Sequence, residues 1–175
     1  AGCPKVGALP RRIGHGDLKV ANVLFGPQSE DVVAVLDLDT MAWTTMDLEM
    51  GDALRSWCNR ALEHDVLPAF DPDLLEAAVY GWLQASVGWV TPVEVDALVP
   101  GLERISWELA ARFGADALRE QYFGWSPDVA ASRGDHNLLR ARNQAGLAAS
   151  VARQRGALSA RVRECWRRVQ REQGA

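Results

Sequence analysis

Apolar positions recur along the chain in two rhythms. Val23-Leu24-Phe25 and the run 32–38 (Val-Val-Ala-Val-Leu-Asp-Leu) are short and rich in β-branched residues, and Gly26-Pro27-Gln28-Ser29-Glu30-Asp31 separates them. They predict the two strands of a small hairpin. Beyond Asp47 the apolar residues fall at three- and four-residue spacing, the period of amphipathic helices. Helices are expected near 47–64, 72–87, 92–120 and 135–171, the third with a break near Gly101 or Gly114, and with breakers at Pro68, Pro72, Pro92, Gly124 and Pro127. Asp71-Pro72 and Thr91-Pro92 each supply a capping side chain followed by proline at the first helical position. The expected fold class is mainly α with a small β-hairpin near its front, an α+β domain.

The chain has 175 residues, 48% of them hydrophobic, enough for one domain that buries about 70% of the surface of its unfolded form. Cys3, Cys58 and Cys165 form no CxxC pair, which excludes a disulfide framework and a zinc ribbon and fits a reducing, cytoplasmic setting. No stretch approaches about 18 unbroken apolar residues, so neither a membrane span nor a membrane partner is expected. The net charge of −4 is unevenly spread: from Leu138 onward nine arginines face only Glu164 and Glu172, a balance of +7 that leaves −11 for the rest. These arginines interleave with Leu138, Leu139, Leu147, Val151, Leu158, Val162 and Trp166 at roughly helical spacing. That pattern predicts an amphipathic helix docked on its own acidic domain rather than a nucleic-acid contact.

Two polar clusters flank the hairpin without any packing reason to be there: His15-Gly16-Asp17-Leu18-Lys19-Val20-Ala21-Asn22 before it, and Asp37-Leu38-Asp39-Thr40 at its end. The spacing H-x-D-x-K-x-x-N arises by chance in a chain of this length on the order of once in a few thousand sequences. Phosphoryl transfer needs these residue types. One carboxylate accepts or orients the proton of the attacking hydroxyl, while an amide oxygen and a second carboxylate supply hard ligands to magnesium. Asp17, Asn22 and Asp37 can fill those roles. Lys19 can neutralise charge on the transferred group, and His15 reads as a brace for the loop rather than a base.

The two clusters resemble the catalytic and metal-binding segments of protein-kinase-like small-molecule kinases, the aminoglycoside phosphotransferase and choline kinase group, and are most similar to the N-acetylhexosamine 1-kinase branch. In that branch a V-I-D-L-D-T strand is followed by D-F-G-D-x-x-R. Glu49-Met50-Gly51-Asp52-Ala53-Leu54-Arg55 matches its Gly-Asp-x-x-Arg part and departs from it at Glu49 and Met50. Arg112-Phe113, Tyr122-Phe123 and His136-Asn137-Leu138 with Arg140, Arg142 and Gln144 resemble the branch's late helices, so the likeness spans about residues 13–150. It implies Asp17 as catalytic base, Asn22 and Asp37 as magnesium ligands, ATP as donor, and Thr40, Arg112 and Tyr122 as contacts to a sugar-like acceptor. Arg112 reads equally as a solvated helix residue and Tyr122 as a packing residue. Asp52 and Arg55, at i, i+3 spacing, read as a local ion pair that supports the helix, and Asp39 as a cap for the following turn. Of the seven tryptophans, Trp82, Trp89 and Trp107 suit helix packing, and Trp43, in a loop after Thr40, is a ligand-contact candidate.

Kinases of this kind also clamp the nucleotide with a glycine-rich loop and a strand lysine paired to a helix glutamate, both ahead of the catalytic loop. Here 14 residues precede His15, the first of them Ala, the only lysines are Lys5 and Lys19, and no GxGxxG or GxxxxGK[ST] occurs. The expectation is a single domain over residues 1–175, the C-terminal lobe of a protein-kinase-like fold without its nucleotide-clamping lobe, inactive or weak by itself. A homodimer through the apolar surface such a lobe would cover is expected. Two rival readings share these residues: a non-catalytic kinase-like remnant that serves as a binding module, and a kinase for an aminoglycoside or amino alcohol. Nucleic-acid binding ranks last.

Overall fold

The structure, a computed structural model, describes residues 9–174, so Cys3 and Lys5 lie outside the described part. Strands β2 (Val23–Phe25) and β3 (Val32–Val35) form the expected hairpin, with Val23 opposite Val35. Around it lies a second antiparallel ribbon of β1 (Arg11–Gly14) and β4 (Ala42–Thr45), with Arg11 opposite Thr45 and Gly14 opposite Ala42. Trp43 is therefore a strand residue, not a loop residue. The second strand of the hairpin also ends earlier than expected, at Val35, and residues Leu38–Thr40 form a short 3-10 turn.

Four helices follow: α1 (Met46–Trp57), α2 (Pro72–Ser86), α3 (Pro92–Arg119) and α4 (Arg133–Gln173). The expected caps are in place. Asp71 accepts the N–H groups of Asp73 and Leu74, and Thr91 with Glu94 forms a capping box. Helix α1 stops seven residues short of the expected end, because the Asn59 side chain captures the backbone N–H groups of Ala61 and Ala69 and folds residues 58–71 back. Buried Asn143 on α4 holds that segment, accepting from Asn59 at 3.1 Å and donating to the Asp65 carbonyl at 2.7 Å.

Helix α3 runs unbroken through Pro100 and Gly101. Gly101 is instead the point where α1 crosses α3: a Cβ on Gly51 would lie 2.7 Å from the Gly101 carbonyl carbon, and one on Gly101 would strike the Asp47 backbone. Only glycine permits this approach. The core draws Leu54, Leu83, Leu102 and Val151 from the four helices, all fully buried, each stabilising the fold by about 1.5–3 kcal/mol. Cys58 packs among them, and burial pushes its thiol up to about 12, so it is an inert filler.

Helix α4 turns its stripe from Leu147 to Val169 inward, while Leu138, counted in that stripe from sequence, is exposed. Its arginines meet the acids of α2 and α3: Arg155 with Glu103 at 2.7 Å, Arg163 with Asp96 at 2.7 Å and Arg161 with Asp73 at 2.6 Å. No helix among the described residues is long and apolar enough to cross a membrane. The outer ribbon is tied to this body by Arg12, which donates to Glu94 at 2.7 Å and lies over the ring of Trp89, 4.6 Å from its centre. Trp89 sits in the turn between α2 and α3, not in a helix.

Candidate active site

The loop between β1 and β2 is built by three restraints. Gly16 has φ +81°, and a Cβ there would come within 2.7 Å of the Thr40 carbonyl oxygen, so glycine is needed. Buried Glu49, on α1, accepts the N–H of His15 at 2.9 Å and of Gly16 at 3.0 Å, one oxygen each. The His15 ring accepts the Asp17 N–H through Nδ1 at 3.3 Å, which places its proton on Nε2, 2.8 Å from the Leu36 carbonyl oxygen. Thr40 closes the loop from the other side by donating to the His15 carbonyl at 2.7 Å.

Within this frame Lys19 reaches Asp17 Oδ2 at 2.6 Å and Asn22 Nδ2 donates to the same oxygen at 3.0 Å and to the Asp17 carbonyl at 2.8 Å. Both side-chain bonds end on Oδ2, so Oδ1 is the oxygen left for a substrate hydroxyl. Asn22 uses its Nδ2 here, so its Oδ1 is the atom a hard cation would take. The Asn22 carbonyl accepts the Leu36 N–H at 2.8 Å, which brings Asp37 to the same end of the hairpin. Asp37 is exposed and adopts left-handed φ 65°, ψ 57°, a conformation that costs a residue with a Cβ about 1–2 kcal/mol. No group of three or more His, Cys, Asp or Glu side chains among the described residues is placed to hold a metal unaided. Two oxygen ligands plus phosphate oxygens and water are, however, the usual shell of catalytic magnesium, and Asn22 with Asp37 fits that donor set.

Asp17, Lys19 and Thr40 open onto a cavity of about 760 Å³, within the range of small-molecule sites, about 300–1,000 Å³. Asp52, Arg55, Arg112 and Tyr122 line it too, so seven of the ten residues singled out from sequence share one space. Asn22, Asp37 and His15 do not line it. Trp43 does not line it; Trp125 does. Arg112 lies 5.7 Å from the ring centre of Tyr122 and 5.5 Å from that of Phe123, and Tyr122 is 73% exposed, more than a packing residue would be. Along the wall runs a chain of alternating charge: Asp52 to Arg55 at 2.7 Å, Arg55 to Glu63 at 3.6 Å, and Glu63 to Arg140 at 3.5 Å.

Residues 3–86 match the model of the phosphotransferase enzyme family, APH. The match holds the catalytic loop, both ribbons, and α1 with Glu49 and Asp52, and it supports a protein-kinase-like phosphotransferase. Kinases of this family use ATP and usually Mg2+. The match ends with α2, so the Arg112–Trp125 wall of the cavity lies beyond it.

That wall owes its shape to a residue the motifs do not mark. Buried Asp116 accepts the N–H groups of Gln121, Tyr122 and Phe123 and the side-chain amide of Asn137, all at 2.9–3.0 Å. Burial alone would raise its carboxyl, but these backbone hydrogen bonds more than offset that and hold it below the ordinary range. Its one signal in the sequence is an acid near the C-terminus of a helix, where the helix dipole disfavours negative charge.

Proposed function

We propose that this chain carries the phosphoryl-transfer machinery of a small-molecule kinase that moves the γ-phosphate of ATP to a hydroxyl of a sugar or amino sugar. The observation that carries the reading is Asp17, fixed through Oδ2 by Lys19 and Asn22 at the edge of a cavity large enough for such an acceptor. Asp17 Oδ1 takes the proton of the attacking hydroxyl and orients it for in-line attack. Asn22 and Asp37 would hold magnesium, which would supply positive charge against the nucleotide phosphates. Lys19 adds a positive charge beside the transferred group, and Thr40, Arg112 and Tyr122 contact the acceptor. His15, with Asp52 and Arg55, supports the site.

The cavity wall carries five acids, Asp17, Glu49, Asp52, Glu63 and Glu108, against Lys19, Arg55, Arg112 and Arg140. This near balance favours a neutral acceptor over a polycationic aminoglycoside. The buried free thiols of Cys58 and Cys165 suit a cytoplasmic location. Titrating ADP with and without magnesium into this chain and into Asp37→Asn tests the reading. Magnesium-dependent binding lost in the variant supports it. Binding in neither protein moves the chain to the class of non-catalytic kinase-like modules.

A further inference from the structure

Four buried side-chain polar atoms among the described residues have no hydrogen-bond partner, and three of them belong to residues that line the cavity: Asp52 Oδ2, His136 Nε2 and Arg140 Nε. Folded proteins satisfy nearly all such atoms, and although Arg140 Nε has the Glu63 carboxylate 3.5 Å away, the other two have no such neighbour and call for a ligand. Their chemistry can be read from the bonds already made. His136 is 2% exposed, and its Nδ1 accepts the Ser126 N–H at 3.1 Å. The neutral ring therefore carries its proton on Nε2, a donor. Burial, Arg140 and His64, whose ring stands edge-on at 5.6 Å, push its pKa down and keep it neutral. Asp52 Oδ1 is taken by Arg55, so Oδ2 is purely an acceptor. Arg140 is already committed: Nη1 donates to the Gly124 carbonyl at 2.6 Å and to Asn137 at 3.2 Å, and Nε faces the Glu63 carboxylate at 3.5 Å.

The wall thus offers one free acceptor, Asp52 Oδ2, and one free donor, His136 Nε2, while Asp52, Arg55, Glu63 and Arg140 are paired in a chain of charge. A charged ligand would bring an unmatched charge to it. A hydroxyl group both gives and accepts a hydrogen bond, so a molecule bearing several of them satisfies both atoms. We propose that Asp52 and His136 form the acceptor subsite, and that it binds a neutral polyhydroxyl compound of monosaccharide size through Asp52 Oδ2 and His136 Nε2. The choice of ligand rests on the phosphotransferase reading; the unsatisfied atoms do not.

Saturation-transfer NMR with the full chain and a panel of glucose, galactose and N-acetylglucosamine, in the absence of nucleotide, tests this. At least one sugar binds, its titration shifts the His136 ring protons, and Asp52→Asn weakens it at least tenfold. His136→Asn keeps an acceptor for the Ser126 N–H but loses the Nε2 donor, and weakens binding similarly. His136→Gln restores a donor near the Nε2 position and recovers part of it, a rescue that a purely structural role would not give. Circular dichroism checks that each variant folds, and the wild-type ring shifts decide if one does not. No sugar binding to the wild type, or unchanged binding in Asp52→Asn and His136→Asn, overturns the subsite. The ADP titration stands apart: if it depends on Asp37 while sugar binding ignores Asp52, the subsite fails and the kinase reading survives. If sugar binding depends on Asp52 while ADP shows no magnesium-dependent binding, the subsite stands and the kinase reading fails.

Discussion

The carboxylate of Glu49 accepts the backbone N–H of His15 at 2.9 Å across 34 residues of chain, and through its second oxygen it takes Gly16 as well. It thereby couples the position of α1 to the turn that presents Asp17. Glu49→Gln turns one acceptor into a donor that faces a backbone N–H, leaving it unsatisfied at a cost of about 1–3 kcal/mol. Thermal unfolding should show that loss. On the proposed reading, magnesium-dependent ADP binding should weaken as well, because the displaced turn carries Asp17 and with it Asn22, which donates to Asp17 at 3.0 Å.

Gly101→Ala probes the α1–α3 crossing. The added methyl meets the Asp47 backbone, which cannot swing aside as a side chain would. Overpacking typically costs about 1–3 kcal/mol, and here the upper half of that range is expected. Because α1 also carries Glu49, binding of sugar in the cavity should weaken together with stability. Gly114→Ala, with open space around its position, should stabilise the helix by up to about 1 kcal/mol and is the control.

Arg12→Ala should be among the most destabilising changes in the ribbon. It leaves the fully buried Glu94 carboxylate without its guanidinium partner, and the Trp89 ring without its cation. Breaking a buried pair costs about 3–5 kcal/mol; because Arg12 keeps 26% of its side chain exposed, about 2–3 kcal/mol is expected by denaturant titration. The double variant Arg12→Leu with Glu94→Gln should recover much of it.

The same contact shows why part of the fold was hidden from the sequence. Strands β2 and β3 and the starts of α2 and α3 are written in local signals: β-branched runs, and the caps before Pro72 and Pro92. The partners of β1 and β4 are fixed instead by contacts far apart in the chain, such as Arg12 with Glu94, and no alternation of apolar residues betrays them. Helix α1 ends where Asn59 and Asn143 seize the backbone, although its apolar spacing continues. At the site, the grouping of Asp17, Lys19 and Asn22 was legible because the three fall within one short loop. Asp116, Glu63 and Trp125 were not, because each acts on the cavity only through elements brought together by folding. Trp43 stands close to Thr40 in sequence, yet the pleat of β4 sets it outside the cavity.

Leu24, Phe25, Val32, Val33, Leu36 and Leu38 all lie more than 40% exposed on and beside the inner hairpin. An apolar face of this extent with free strand edges favours association. Size-exclusion chromatography with light scattering should detect a concentration-dependent dimer of this chain, and Phe25→Glu with Val33→Lys should shift it to monomer. A monomer at every concentration rules out the dimer.

Two groups around the cavity wall give stability a pH dependence whose sign follows from their shifts. The native state holds His136 neutral, with its pKa below the ordinary 6.5, while the unfolded chain protonates it at that value. Below about pH 6.5 the unfolded state therefore binds more protons, and stability falls as pH drops toward the native pKa. Protonation would also set an N–H on Nδ1 against the Ser126 N–H, loosening the 120–126 loop. Asp116 acts lower. Its native carboxyl lies below the ordinary 3.8, so the stability it contributes is complete above that value and is lost as pH falls through it. Thermal unfolding followed from pH 8 to 3 should show two declines, the first beginning near pH 6.5 and the second near pH 4. His136→Asn, which keeps the acceptor and cannot titrate, should abolish the first alone. Asp116→Asn should weaken the second, and should free the Tyr122 amide to exchange with solvent at every pH. A variant at His136 that leaves the first decline unchanged would assign it to another group.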